Sequence, residues 1–175
     1  MTNMKGSTVT SPKKSSTFTK TPRYPESSAW EKPGFLLWHA TLEWQRRVSA
    51  VLRDIELTHA QFVLLAGTVW LEQRSGPPSQ RELADHAGTD AMMTSQIVRV
   101  LEKAKLIERR LDTVDTRVKR LRATPAGTKL AKRAVELVEG VDVDAFVGVE
   151  DLPSLLNGLR SVARRDQSGA KTDDE

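Results

Sequence analysis

Met92, Ser95, Gln96 and Arg99 follow one another at three- and one-residue steps that, on a helix, gather them along one exposed side. Their chemistry is that of a duplex reader. Gln96 can bond an adenine edge in bidentate fashion, Arg99 can address guanine or phosphate, Met92 can meet a thymine methyl, and Ser95 is small and adaptable. The plainer reading of the same side chains is the wet side of a surface helix. A second group, Arg117, Lys119, Arg120 and Arg122, lies just downstream, with Asp115 two residues before Arg117. A carboxylate there can orient the Arg117 guanidinium, and an oriented arginine suits the negative potential of a narrow minor groove. Lys119, Arg120 and Arg122 would extend a positive strip along phosphates without reading bases. Ser79 and Gln80, where a short helix starts, would add a phosphate contact through exposed N–H groups and the positive helix end. The alternative for the strip is a solvated charged hairpin.

The charge is localised in the same region. The chain has 175 residues and a net charge of +4; residues 1–28 carry +4, 29–98 carry −2, 99–133 carry +8 and 134–175 carry −6. A stretch at +8 repels itself unless it is solvated or matched to a polyanion, and nucleic-acid phosphate is the commonest such partner. Cysteine is absent, which excludes disulfides, thiolate metal sites and thiol redox sensing. His39, His59 and His86 lack a metal-like spacing, so no metal and no cofactor is expected. No glycine-rich phosphate loop, nucleophile elbow or paired ligand motif is present, which argues against an enzyme. No apolar run approaches the ~18 residues that span a bilayer, and the N-terminus lacks the apolar stretch of a secretory signal. A soluble, cytoplasmic protein with no membrane partner is expected.

These residues need a scaffold. Residues 1–28 are rich in Ser, Thr, Lys and Pro and read as a disordered basic arm; residues 166–175 read as a disordered tail. Between them, Trp44, Val48, Val51, Leu52 and Ile55 mark a first helix over about 35–55. Thr58-His59-Ala60-Gln61 is a capping box for a second, whose stripe of Phe62, Leu65, Ala66, Val69 and Trp70 is expected to face the core before the break at Gly76-Pro77-Pro78. Ser79-Gln80-Arg81-Glu82 is another box, opening a short helix that stops near Gly88. A fourth helix, about 90–105, should turn Met93, Thr94, Ile97 and Leu101 inward. Two short helices around a glycine-containing turn make a helix-turn-helix. Residues 106–111 and 117–122 predict a β-hairpin without an Asn-Gly or Asp-Gly turn. Thr124-Pro125 caps a fifth helix bearing Leu130, Ala134, Val135, Leu137, Val138 and Val141, and a sixth follows over about 152–162. The fold class is therefore mainly α with a small β-hairpin wing: a winged helix-turn-helix.

Over roughly residues 34–145 the chain resembles the MarR family of winged-helix transcriptional regulators. The resemblance is carried by Gln80-Arg81-Glu82-Leu83-Ala84, Met93-Thr94-Ser95-Gln96-Ile97-Val98-Arg99 running into Leu101-Glu102-Lys103, Leu106-Ile107-Glu108-Arg109-Arg110, and Asp115-x-Arg117 followed by Thr124-Pro125-Ala126-Gly127. Gly34-Phe35-Leu36-Leu37-Trp38 and Leu57-Thr58-x-x-Gln61-Phe62 suit the first two helices of that family. The resemblance implies a homodimer held by terminal helices, a wing built around Asp115 and Arg117, and repression relieved by a small aromatic or anionic ligand. Lys105 stands where many members have Gly, which disfavours a left-handed cap there; Ala123 stands where Leu is common, and Gln96 where Arg is frequent.

The reading is a repressor that binds a pseudo-palindromic operator on double-stranded DNA as a homodimer; the alternative is a winged-helix protein-interaction module. Its expected organisation is a 1–28 arm, a 29–165 winged-helix domain and a 166–175 tail. Within that domain, 58–123 forms the DNA-binding core, and helices 34–55, 125–141 and 151–165 dimerise. Trp38, His39, Trp44 and Trp70 are candidates for a planar ligand, although tryptophan on a helix is more often plain core or interface filling.

Overall fold

The computed structural model describes residues 32–112 and 118–163. Six helices and one hairpin follow in the order α1 (Pro33–Arg53), α2 (His59–Ser75), α3 (Gln80–Ala87), α4 (Ala91–Lys103), β1 (Ile107–Leu111), β2 (Lys119–Ala123), α5 (Pro125–Phe146) and α6 (Leu152–Ala163). The expected arm and tail, and the wing tip with Asp115 and Arg117, lie outside the described residues.

Side-chain caps fix the helix starts. Thr58 and Gln61 form a reciprocal box at α2, Ser79 and Glu82 another at α3, Asp90 accepts from the Met93 amide at α4, and Thr124 accepts from the Gly127 amide at α5. α3 ends on Gly88 at φ 67°, a left-handed position that costs glycine little. α4 ends the same way but on Lys105, φ 59°. The Leu106 amide bonds the Leu101 carbonyl at 2.9 Å and the Lys105 amide bonds that of Glu102 at 2.9 Å. This is a Schellman turn made without glycine. The conformation that the lysine disfavours is thus adopted, because the turn must redirect the chain from α4 into β1.

α2 packs against α3, α4, α5 and β2 and is the hub of the core. For that reason its burial is not one stripe. Leu64, Leu65, Gly67 and Thr68 are buried, whereas Trp70, placed on the expected core stripe, is 46% exposed. With neighbours on several sides, α2 buries a wider arc than a surface helix would. Val48 and Leu52 of α1, Leu83 of α3, Leu101 of α4, Ile107, Leu121, and Ala131, Ala134, Val138 and Val141 of α5 complete the core. α6 buries none of its residues. Among the described residues, no helix is long and apolar enough to cross a membrane.

Candidate nucleic-acid interface

α4 is held at its start from inside. The Thr94 hydroxyl, fully buried, donates to the Asp90 carbonyl at 2.7 Å and lies 2.7 Å from the Thr89 hydroxyl, tying the helix to the turn after α3. Thr94, Val98 and Leu101 face the core. This corrects the expected inner face in one place: Met93 is 40% exposed, and Val98, one turn beyond Thr94, takes the central buried position. The opposite side carries Met92, Gln96, Arg99 and Lys103, all exposed, with Ser95 at its margin.

The hairpin pairs antiparallel, Ile107 with Ala123 through to Leu111 with Lys119. β2 is also stitched to the segment before α3. The Leu121 amide donates to the Pro78 carbonyl at 2.7 Å, and Ser79 bridges Arg120. The wing therefore grows from the base of the helix-turn-helix.

Much of the basic charge in this region is engaged internally. Arg120, expected along phosphates, donates through Nε to Asp112 Oδ2 at 2.5 Å and through Nη1 to Glu82 Oε2 at 2.9 Å. Arg122 lies 3.5 Å from Glu72, whose other carboxylate oxygen accepts from the Ala123 amide at 3.1 Å. Arg110 pairs with Glu108 at 2.7 Å. Arg109 Nε lies 3.1 Å from Glu102 without hydrogen-bond geometry. By contrast Arg99, Lys103, Lys105 and Lys119 make no ion pair among the described residues. Arg99 and Lys119 line a shallow depression of about 420 Å³ between α4 and the hairpin, together with Glu102, Arg109, Arg110 and Leu111. Of the described basic side chains from α4 through the hairpin, these four are thus the ones no carboxylate holds, in contrast to the arginines of β2.

At the start of α3 the Ser79 hydroxyl accepts from the Glu82 amide, and the Glu82 carboxylate accepts from the Ser79 amide at 2.6 Å. These bonds, with Arg120 adding to them, hold the Glu82 carboxyl below its ordinary range. The Ser79 amide is therefore already used, whereas its hydroxyl, an acceptor in the box, keeps its own hydrogen for an anion, with Gln80 beside it at that helix end. The carboxylates of Glu72, Glu82 and Asp112 are the functional residues that sequence reasoning missed. The Ser79–Glu82 box was visible, but nothing local signals a partner 38 residues away in Arg120.

Three of the four aromatic candidates, His39, Trp44 and Trp70, have partners of their own. Trp44 Nε1 donates to Asp142 at 2.6 Å, and its ring meets that of His59 edge-on at 5.2 Å. Trp70 stacks on His86 at 4.8 Å, with the Arg74 guanidinium 5.1 Å from its ring centre. His39 lies 4.3 Å from the Phe35 ring, and Trp38 is exposed. Among the described residues, no cluster of three or more His, Asp or Glu could hold a metal.

A family model described as MarR family matches residues 57–119. The chain is 37% identical over 134 residues to the uncharacterized HTH-type transcriptional regulator YdcH of Bacillus subtilis (strain 168), covering 77% of this chain and 91% of that one. Two solved structures share the fold. BpsR of Bordetella bronchiseptica, whose DNA binding is regulated by 6-hydroxynicotinic acid, matches with a TM-score of 0.72 and 23% identity, covering 81% of this chain and all of that one. CouR of Rhodococcus jostii RHA1, bound to p-coumaroyl-CoA, matches with a TM-score of 0.69 and 24% identity, covering 85% and 99%.

Proposed function

Because this chain belongs to the MarR family of winged-helix transcriptional regulators, we propose that it binds a pseudo-palindromic operator as a homodimer and acts as a repressor released by a small ligand. One observation carries the reading. The side of α4 that presents Met92, Gln96 and Arg99 is exposed, while Thr94, Val98 and Leu101 seat the helix from behind. In the proposal Met92, Ser95, Gln96 and Arg99 address bases. Lys119 and Gln80 contact phosphate, and Arg117, oriented by Asp115, enters the minor groove.

The homodimer is supported by what the terminal helices leave uncovered. Val143, Val147, Leu152, Leu156 and Val162 are exposed, and a twelve-residue helix such as α6 gains too little from its own hydrogen bonds to persist without packing an apolar face. A second copy satisfies that requirement and sets two recognition helices about one duplex turn, roughly 34 Å, apart. The ligand reading draws on the small molecules associated with BpsR and CouR. Trp44 is its candidate contact on α1, and Trp38 and His39 are candidates by residue type alone. Trp70 remains a candidate only if a ligand displaces His86 from its face. The organisation into a 1–28 arm, a 29–165 domain and a 166–175 tail belongs to the same proposal.

The test is fluorescence anisotropy of the purified protein on a duplex selected from a random library and on a scrambled duplex, across a salt series. Preference for the selected duplex, with affinity falling as salt rises, is expected. Equal affinity for both duplexes would overturn specific readout and favour a protein-interaction module.

A further inference from the structure

We infer that Arg120 is a positioning residue: it sets the angle of the wing on the helix-turn-helix by bridging Asp112, just past the end of β1, and Glu82 in the first turn of α3. The inference rests on the DNA-binding reading above. Its grounds are geometric. Arg120 sits on β2 between the two carboxylates, Nε on Asp112 and Nη1 on Glu82, so a single planar group joins the strand, the chain leaving β1 and the helix that precedes the recognition helix. Its side chain is about one-third exposed, unlike the more open neighbouring Lys119. Nη1 also lies 3.5 Å from the Pro77 carbonyl, in the segment along which β2 is stitched through Leu121 and Pro78.

A cation with two carboxylates already in place has little left to offer a phosphate, since binding one would mean giving up a partner. Holding the wing is a different task. The hairpin has only two strands: β1 packs against α4, and β2 against α2, α3 and α5. Without Arg120 the hairpin keeps its own ladder and the β1–α4 contacts, the Arg109–Glu102 pair among them, but loses its charged tie to α3. A wing free to swing reaches the duplex less often in the right pose.

Salt dependence separates positioning from phosphate contact, because each phosphate neutralised adds about 0.9 to the slope of log affinity against log salt. The experiment compares wild type, Arg120→Leu, Lys119→Ala and Glu82→Gln on the selected duplex and on a scrambled one, with thermal unfolding of each variant. Arg120→Leu should weaken binding to the selected duplex about tenfold with an unchanged slope. Lys119→Ala should lower the slope by about 0.9. Glu82→Gln keeps the capping box, since Gln serves there as well as Glu. It removes a negative charge, which simple electrostatics turns into tighter binding; positioning predicts about threefold weaker binding instead. A slope lowered by about 0.9 in Arg120→Leu, or unchanged or tighter binding by Glu82→Gln, would overturn the inference. If Arg120→Leu does not fold, Glu82→Gln decides alone. Failure of the wild type to prefer the selected duplex overturns the proposed function instead, and is read before any variant.

Discussion

Gly127 packs so closely on the carbonyl of Leu106 that a Cβ at position 127 would stand 2.0 Å from the Leu106 oxygen. The same carbonyl accepts the Thr124 amide at 3.0 Å, and the Thr124 hydroxyl donates to the Lys105 carbonyl at 2.8 Å while accepting the Gly127 amide. The start of α5 is therefore clamped onto the exit of α4. Gly127→Ala must push the two apart, and because the obstacle is backbone, no rotamer change relieves it. We expect a loss of about 3 kcal/mol or more, read as a lowered denaturant midpoint. An unchanged midpoint would show that the two segments are not held together as described.

Lys105 bears the opposite kind of strain. At φ 59° its side chain crowds its own backbone, which costs roughly 1–2 kcal/mol. Lys105→Gly removes that cost but gives the unfolded chain more freedom, so a net gain of roughly 0.5 kcal/mol is expected in chemical denaturation. A loss would mean that the lysine side chain supports the turn in a way its exposure does not suggest.

Local chemistry made the frame legible. The caps Thr58, Ser79, Asp90 and Thr124, the breaks at Gly76 and Gly88, and the spacing along α4 act over one or two turns, and each marks its element in the sequence. What spans the chain was not legible. Trp70 shares the spacing of Leu65 and Phe62, yet the helices around α2 leave it outside against His86. Met93 and Val98 differ in the same way: periodicity gives a face about 100° wide, but only the neighbours decide which flank is covered. Arg120 and Arg122 look alike beside Lys119 in sequence. Their carboxylates, Glu82 and Glu72, come from α3 and α2, and only the fold brings them there.

His59 titrates against the fold. Partial burial, beside the rings of Trp44 and Phe62, lowers its pKa below the ordinary 6.5. Between that lowered value and 6.5 the unfolded chain binds the proton more readily than the folded one, so stability is full above 6.5 and falls as pH drops through the window. His59→Gln should flatten this part of the pH–stability curve measured by urea unfolding. An equal decline in wild type and variant would assign it to other groups.

Arg99 is proposed to read a base, so Arg99→Ala is expected to weaken binding to the selected duplex and leave binding to the scrambled one nearly unchanged; equal losses on both would assign it to phosphate. Deleting residues 1–28 should leave the circular dichroism per folded residue unchanged and reduce only non-specific affinity, since a net +4 leaves with them. Loss of the folded signal would refute the reading of that segment as an arm.

Sequence-specific readout by α4 requires Gln96 to face a base. The measurement that reaches this most directly is selection from a random duplex library by wild type and by Gln96→Ala, with both pools sequenced. The wild-type pool should converge on an inverted repeat, half-sites about ten base pairs apart, and Gln96→Ala should lose preference at one symmetric pair of positions, each worth roughly 1–3 kcal/mol. An identical motif from both proteins, or no motif from the wild type, would contradict it.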